Sequence, residues 1–191
     1  MVNPNEPSER NSGKNDPGQA ENATLTERTL AVIRSQFHGV LVTLDHHGFP
    51  HTRVMGAATM DHGLRQLVCL SARQTRKLEH IRRDPRVTWT FFDPDTHEQV
   101  LMKGLAQVVA WPERTAAIWE HLLRCAPERS WERLSEQPNS EFQGIVTNIL
   151  EIEYLDPSKS DHQPKRIRFG SLKDWAQHVS HDEAKRTDEA G

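Results

Sequence analysis

Gly39-Val40-Leu41-Val42-Thr43-Leu44-Asp45-His46-His47-Gly48-Phe49-Pro50-His51-Thr52-Arg53-Val54-Met55 is the stretch whose reading decides the fold. Val40, Val42 and Leu44 alternate with Leu41, Thr43 and Asp45, which is the two-residue period of a strand. His46-His47-Gly48-Phe49-Pro50 is rich in turn formers, and a second strand follows through Arg53, Val54 and Met55. Strands joined by so short a turn run antiparallel, because a parallel pair needs a crossover of roughly a dozen residues.

The neighbouring segments extend that pattern. Upstream, Thr24-Leu25-Thr26-Glu27 has capping-box spacing, and Leu30, Ile33 and Phe37 recur on one helical face. The spacing predicts a helix from Thr24 to about His38, stopping near Gly39. Downstream, Asp61-His62-Gly63 marks a turn before a third strand over Leu64 to Leu70. Thr75 to Arg83 reads as a helix with Leu78 and Ile81 inward, ended by Asp84-Pro85 because a residue before proline avoids the α region. Val87 to Phe92 and Val100 to Val109 are further strands. Pro112 suits a first helical position, and Trp119, Leu122, Leu123 and Ala126 continue a helical face. Ile145 to Tyr154 is a last alternating strand. Six or so strands with mostly hairpin connections and short flanking helices predict an antiparallel barrel of the α+β class.

Composition sets the outer bounds. The chain has 191 residues, 24 Lys+Arg against 27 Asp+Glu, and 35% hydrophobic residues. Residues 1–23 contain no Leu, Ile, Phe or Trp and are predicted to be a disordered tail, since they bury too little surface to offset their ordering entropy. Residues 24–156 form the predicted domain, and 157–191, beginning at the polar break Asp156 to Asp161, a partly disordered C-terminal appendage. No apolar run nears the roughly 18 residues of a membrane span, so no membrane partner is expected. With no secretory signal and two cysteines, Cys69 and Cys125, the expected location is the cytoplasm. The net charge of −3 gives no general reason to expect nucleic acid.

Chemistry concentrates in Ser71-Ala72-Arg73-Gln74-Thr75-Arg76-Lys77, between a strand and a helix. A helix start presents free amides and a positive dipole end, and Thr75, Arg73, Arg76 and Lys77 add a hydroxyl and charge, which suits a phosphate. A capped helix with a solvated basic face, extended by Arg82 and Arg83, explains the same residues, and spacing alone leaves the two readings even.

Order along the domain distinguishes them. Gly39 to Asp45, Gly48-Phe49-Pro50-His51-Thr52-Arg53-Val54-Met55, Ser71 with Thr75-Arg76-Lys77, Asp84-Pro85-Arg86-Val87, and Gln99-Val100-Leu101-Met102-Lys103-Gly104 together resemble the pyridoxamine 5′-phosphate oxidase-like, FMN-binding split-barrel superfamily, particularly its general stress protein branch, over about residues 28 to 155. The resemblance implies a homodimer of antiparallel split β-barrels, Greek-key-like, with two FMN molecules at the interface. It implies that Arg53, Val54, Met55 and Gly56 lie along the flavin and its phosphate, with Leu70 and Ser71 contacting it from the third strand. Thr75, Arg76 and Lys77 match the phosphate-binding positions, and Gln99 a glutamine reaching in from the other subunit.

The sequence also departs from the oxidases proper. Where those carry a lysine for the substrate phosphate, this chain has Ala58, and counting from Gln99 places Ala117, His121 and Cys125 where Tyr, Arg and Ser would hold the same group. Lys165 to Phe169 lacks the family's C-terminal ring-and-arginine signature, and either forms a final strand or covers the pocket. Vitamin B6 phosphate is therefore not the expected substrate. His121 is read either as a contact for substrate or proton or as a partly exposed helix residue.

Eleven histidines include no recognisable ligand spacing, so no metal is expected. Both cysteines are expected to be small buried hydrophobes. Trp89 and Trp119 fall on inward patterns, while Trp131 and Trp175 are expected as ring covers or dimer contacts. The expected function is an FMN-dependent oxidoreductase acting on a small organic partner. Alternatives are a flavin-binding stress protein without turnover, a deazaflavin- or haem-binding relative, and a nucleic-acid binder using the basic helix Arg73 to Arg83.

Overall fold

A computed structural model describes residues 17–127, 141–159 and 163–171. Helix α1 (Pro17–Gln36) leads into strands β1 (His38–Leu44), β2 (Pro50–Thr59) and β3 (Gln66–Ala72). Helix α2 (Arg76–Arg83) is followed by β4 (Arg86–Phe92) and β5 (Gln99–Val108). Helix α3 (Pro112–Cys125), β6 (Phe142–Leu155) and β7 (Lys165–Arg168) complete the described chain. All pairings are antiparallel, in the order β3-β2-β1-β4-β5-β6-β7.

The sheet closes through β6. Its first half pairs with β3, from Phe142 opposite Ala72 to Asn148 opposite Gln66, while Ile145 to Leu155 pairs with β5. Residues 145–148 thus have a partner strand on both sides, and six strands form a closed α+β barrel as the sequence predicts. The register of β5 on β6 shifts between Lys103 and Gly104. A Cβ at Gly104 would lie 2.5 Å from the carbonyl oxygen of Asn148, so the bulge needs the missing side chain.

Two apolar cores flank this wall. Inside the barrel, Leu41, Leu67, Cys69, Trp89, Phe91, Met102, Ile145 and Ile152 pack with Ile33 of α1 and with Leu78 and Ile81 of α2. Outside it, Ile118, Trp119 and Leu122 of α3 cover Ala58, Val68, Leu70 and Val146, joined by Phe37. β3 is consequently buried on both faces, Leu67 and Cys69 inward and Val68 and Leu70 toward α3. Each such side chain taken from water contributes about 1.5 to 3 kcal/mol.

Several expected boundaries move. The first helix begins at Pro17, seven residues before Thr24, so residues 17–23 belong to the helix and not to a disordered tail. The capping-box motif is interior: Thr26 Oγ1 donates to the carbonyl of Asn22 at 2.8 Å, a bond within the helix. Pro17 suits a helix start, and Ala20, Glu21 and Ala23 favour its continuation. The third strand starts at Gln66, because Leu64 turns with a φ of 58° and Asp61 Oδ1 accepts from the Arg65 amide. Lys165 to Arg168 forms the final strand, paired with β6 and held by Arg168 Nε to Glu151 Oε2 at 2.8 Å. Cys125 is exposed rather than buried, since it ends α3 beyond the turn that packs on the sheet. Trp131, Trp175, His178, His181, residues 1–16 and the chain after Ser171 lie outside the described residues.

Gly104→Ala forces the new methyl against the Asn148 carbonyl, and we expect it to cost about 1 to 3 kcal/mol of stability. Thermal denaturation measures this, and an unchanged midpoint would contradict the close approach.

Candidate functional site

The inward face of the β1–β2 hairpin decides where the charges go. Leu41 lies opposite Arg53 and Thr43 opposite His51, so Thr43 and Arg53 are diagonal neighbours on one face. Arg53 Nη1 donates to Thr43 Oγ1 at 2.7 Å. Helix α2 packs on the barrel through Leu78 and Ile81, and its first turn brings the charges of Arg76 and Lys77 near Arg53.

The start of α2 is open. Thr75 sits at the cap position in extended conformation, but its hydroxyl makes no capping bond. Instead Thr75 Oγ1 lies 2.8 Å from Ser71 Oγ, and Lys77 Nζ donates to the same Ser71 oxygen at 3.0 Å. The residue before the cap, Gln74, holds a φ of 59°, which turns the chain sharply from β3 into the helix. The alternative of a self-capped helix with a merely solvated basic face therefore fails at its first point.

Three cations converge on this opening. Burial, and then the charge of Arg76, lower the proton affinity of Arg53. Burial, and then the charge of Arg53, do the same to Lys77. Among the described residues, none of Arg53, Arg76 and Lys77 forms an ion pair with a carboxylate. Like charges gathered without a counter-charge, beside a helix start and two hydroxyls, fit a phosphate group: it supplies the missing negative charge and accepts from every donor present.

Of the residues predicted to line the cofactor, Arg53, Ser71, Thr75, Arg76 and Lys77 come together here. The remainder do not join them within one chain. Val54 points outward and is 66% exposed, and Gln99 is exposed at the start of β5, opposite Phe92. Met55 packs against the barrel core, and Leu70 is buried in the cluster under α3. A Cβ at Gly56 would lie 2.7 Å from Phe37, so that glycine serves the end of α1.

A second concavity of about 300 Å³ lies at the other end of β2. Phe37, Ala57, Ala58, Met60, His121 and Cys125 are among its walls, so three of the four positions that depart from the oxidases proper share one cavity. Ala117 is not among them. His121 Nε2 lies 2.9 Å from the carbonyl oxygen of Thr59 and donates to it, so its ring is held at the cavity wall instead of being a free surface group.

Other tempting residues take structural roles. Burial pushes the Cys69 thiol up to about 12, which keeps it an inert apolar residue. Trp89 is wholly buried and donates from Nε1 to Thr147 Oγ1 at 3.2 Å. Among the described residues no group of three metal-binding side chains is assembled, and no helix is long and apolar enough to cross a membrane. Sequence reading passed over Thr43 and His80, whose atoms lie 3.0 Å apart behind Arg53. The available signal was a threonine at an inward strand position between Leu41 and Asp45.

Comparison with known proteins gives the family and the fold. Residues 25–156 match the family described as Pyridoxamine 5'-phosphate oxidase, and the chain belongs to that family. No curated protein matches the sequence significantly. Among solved structures, a protein related to general stress protein 26, of the pyridoxinephosphate oxidase family, from Clostridium acetobutylicum superposes with a TM-score of 0.62 at 11% identity, covering 77% of this chain and 96% of its own. A pyridoxamine 5'-phosphate oxidase-related, FMN binding protein from Nostoc punctiforme gives 0.52 at 16%, covering 81% and 97%. A heme binding protein from Mycobacterium smegmatis gives 0.59 at 16%, covering 75% of this chain and 57% of that one. At such identities the likeness carries the fold alone, a split barrel.

Lys77→Met removes one of the mutually repelling charges. We expect it to raise the melting temperature of the ligand-free protein at low ionic strength, where such repulsion is least screened. Inorganic phosphate is expected to raise the wild-type midpoint and to leave that of Lys77→Met nearly unmoved. Calorimetry in phosphate and in a non-binding buffer tests both, and a wild-type protein indifferent to phosphate would sink the anion site.

Proposed function

We propose that this protein is an FMN-binding flavoprotein that moves electrons between its flavin and a small organic partner. The observation that carries the reading is the cluster of Arg53, Arg76 and Lys77 at the uncapped start of α2, with no carboxylate partner among the described residues. FMN offers a phosphate for that cluster, and when bound it supplies the electron chemistry itself, so no dedicated acid–base triad is required. The chain contributes binding, orientation and exclusion of water. Membership of the family supports FMN over haem or a deazaflavin.

The cavity at Ala58 bears on the partner. It lacks the lysine and the arginine that the resemblance would place there for a substrate phosphate, and its walls include Arg34, Asp61 and His62, with Arg34 donating to His62 Nδ1 at 3.3 Å. Phe37, Ala57, Ala58 and Met60 offer apolar wall beside these polar groups, which suits a small organic molecule with an apolar body. His121, fixed by Thr59, is the residue in this reading that meets it.

The same reading includes a homodimer in the cytoplasm. On the outer face of the barrel, Val40, Val42 and Leu44 are only half-buried, Val54 sits beside Val40, and Phe92 is 45% exposed. An outer face that carries these apolar residues, with Thr52, Thr88 and Thr90 among them, suits a subunit contact, and Gln99 beside Phe92 would then approach a neighbour's flavin. The buried reduced thiol of Cys69 is compatible with a reducing compartment.

The test is an absorption spectrum of the purified protein, with release and identification of any bound flavin. Arg76→Ala or Lys77→Ala is expected to weaken FMN binding by about 1.5 to 3 kcal/mol, the scale of a lost charged hydrogen bond. Sedimentation followed at the flavin wavelength is expected to show the colour travelling with a dimer. Unchanged FMN affinity in the double variant would reject the site, and a monomer holding FMN tightly would reject the shared interface.

A further inference from the structure

We propose that Thr43 and His80 are positioning residues of the anion site, which together hold the Arg53 guanidinium where it meets the cofactor's phosphate. This rests on the FMN reading above. Arg53 stands among like charges, so without a bound anion its long side chain is pushed away from Arg76 and Lys77. Something must keep it at the cluster. The structure supplies one fixed acceptor, the wholly buried hydroxyl of Thr43, 2.7 Å from Arg53 Nη1.

That hydroxyl is itself oriented. A guanidinium only donates, so Thr43 accepts from Arg53 and has its own proton to place. Among the described residues its acceptor is His80 Nδ1, 3.0 Å away on α2. The arrangement requires Nδ1 without a proton and the ring hydrogen on Nε2. The surroundings favour the neutral ring: burial, then Arg53 and His51 from β2, and Arg83 from α2 itself disfavour a charge on His80, opposed by Asp45 alone. Asp45 is already engaged, accepting from the amides of His47 and Phe49 and lying 3.6 Å from His51 Nε2. The His51 ring also meets His80 edge-on at 5.3 Å, a contact that helps to orient the imidazole.

The chain of contacts Arg53 to Thr43 to His80 has a second effect. His80 sits on the same short helix as Arg76 and Lys77, so the bond to Thr43 ties the strand-borne arginine to the helix-borne cations. Strand and helix then present their charges as one preorganised unit, and less ordering remains to be done when the anion arrives. Neither Thr43 nor His80 touches the anion. Both act through Arg53.

FMN and riboflavin, which differ by the phosphate alone, separate this role from general damage to the fold. Their affinities are measured by quenching of flavin fluorescence in the wild-type chain and in Thr43→Val, Thr43→Ser, His80→Phe and His80→Gln. Thr43→Val and His80→Phe are expected to weaken FMN about tenfold and to leave riboflavin unchanged. Thr43→Ser keeps the hydroxyl and His80→Gln keeps an acceptor, so both are expected to stay within about threefold of wild type. Should Thr43→Val fail to fold, His80→Phe carries the same comparison, because His80 is only partly buried. Wild-type FMN affinity in these variants, or an equal loss for FMN and riboflavin, overturns the positioning role. A wild-type chain that binds FMN no better than riboflavin overturns the phosphate site, and this role with it.

Discussion

The double pairing of β6 is the constraint on which the rest of the molecule depends. One strand cannot serve β3 at its start and β5 along most of its length unless the sheet curls until its ends meet. Closure joins the ends of the six-stranded wall, although β2 meets β3 only over Ala57 to Thr59, and the remaining part of β6 takes β7 as its neighbour. Gly104 lets the wall bend at the point of tightest approach, with backbone in place of a side chain against Asn148. Because the wall is closed, it has an inside and an outside, and apolar residues on both sides of β3 are consumed by two different cores.

That division also creates the site. Arg53 belongs to the inward face of its hairpin, where an apolar residue would otherwise be expected, and it reaches the end of the barrel that α2 covers. Helix α2 is anchored by Leu78 and Ile81, so its first turn is fixed by packing and not by a side-chain cap. The cations are assembled by burial of their neighbours, at a cost in mutual repulsion that no carboxylate among the described residues offsets and that a bound anion would offset. The outward apolar strip of Val40, Val42, Leu44 and Val54 belongs to the same architecture, as the opposite face of the same two strands.

The cavity beyond Ala58 gathers three of the positions at which the chain departs from the oxidases proper. Small or neutral side chains stand where the oxidases proper hold a phosphate, and His121 is locked to a backbone carbonyl.

Periodicity and punctuation in the sequence determined a great deal: the hairpin at His46 to Pro50, the helix from Thr75, the proline start of α3 and the alternating strands are local patterns, set within a few residues of chain. The ordered run from Gly39 to Gly104 further pointed to the family, and Thr75-Arg76-Lys77 to the anion. Local pattern misplaced the first helix, because capping-box residues are equally at home inside a helix when good helix formers precede them, as Ala20, Glu21 and Ala23 precede Thr24 here. Only the tertiary structure decided that β6 joins β3 to β5, that Ala58, His121 and Cys125 share a cavity while Val54 faces away from the cradle, and that Thr43 and His80 stand behind Arg53. Those relations link residues tens of positions apart, and they exist through packing and hydrogen-bond distance, which no local spacing encodes.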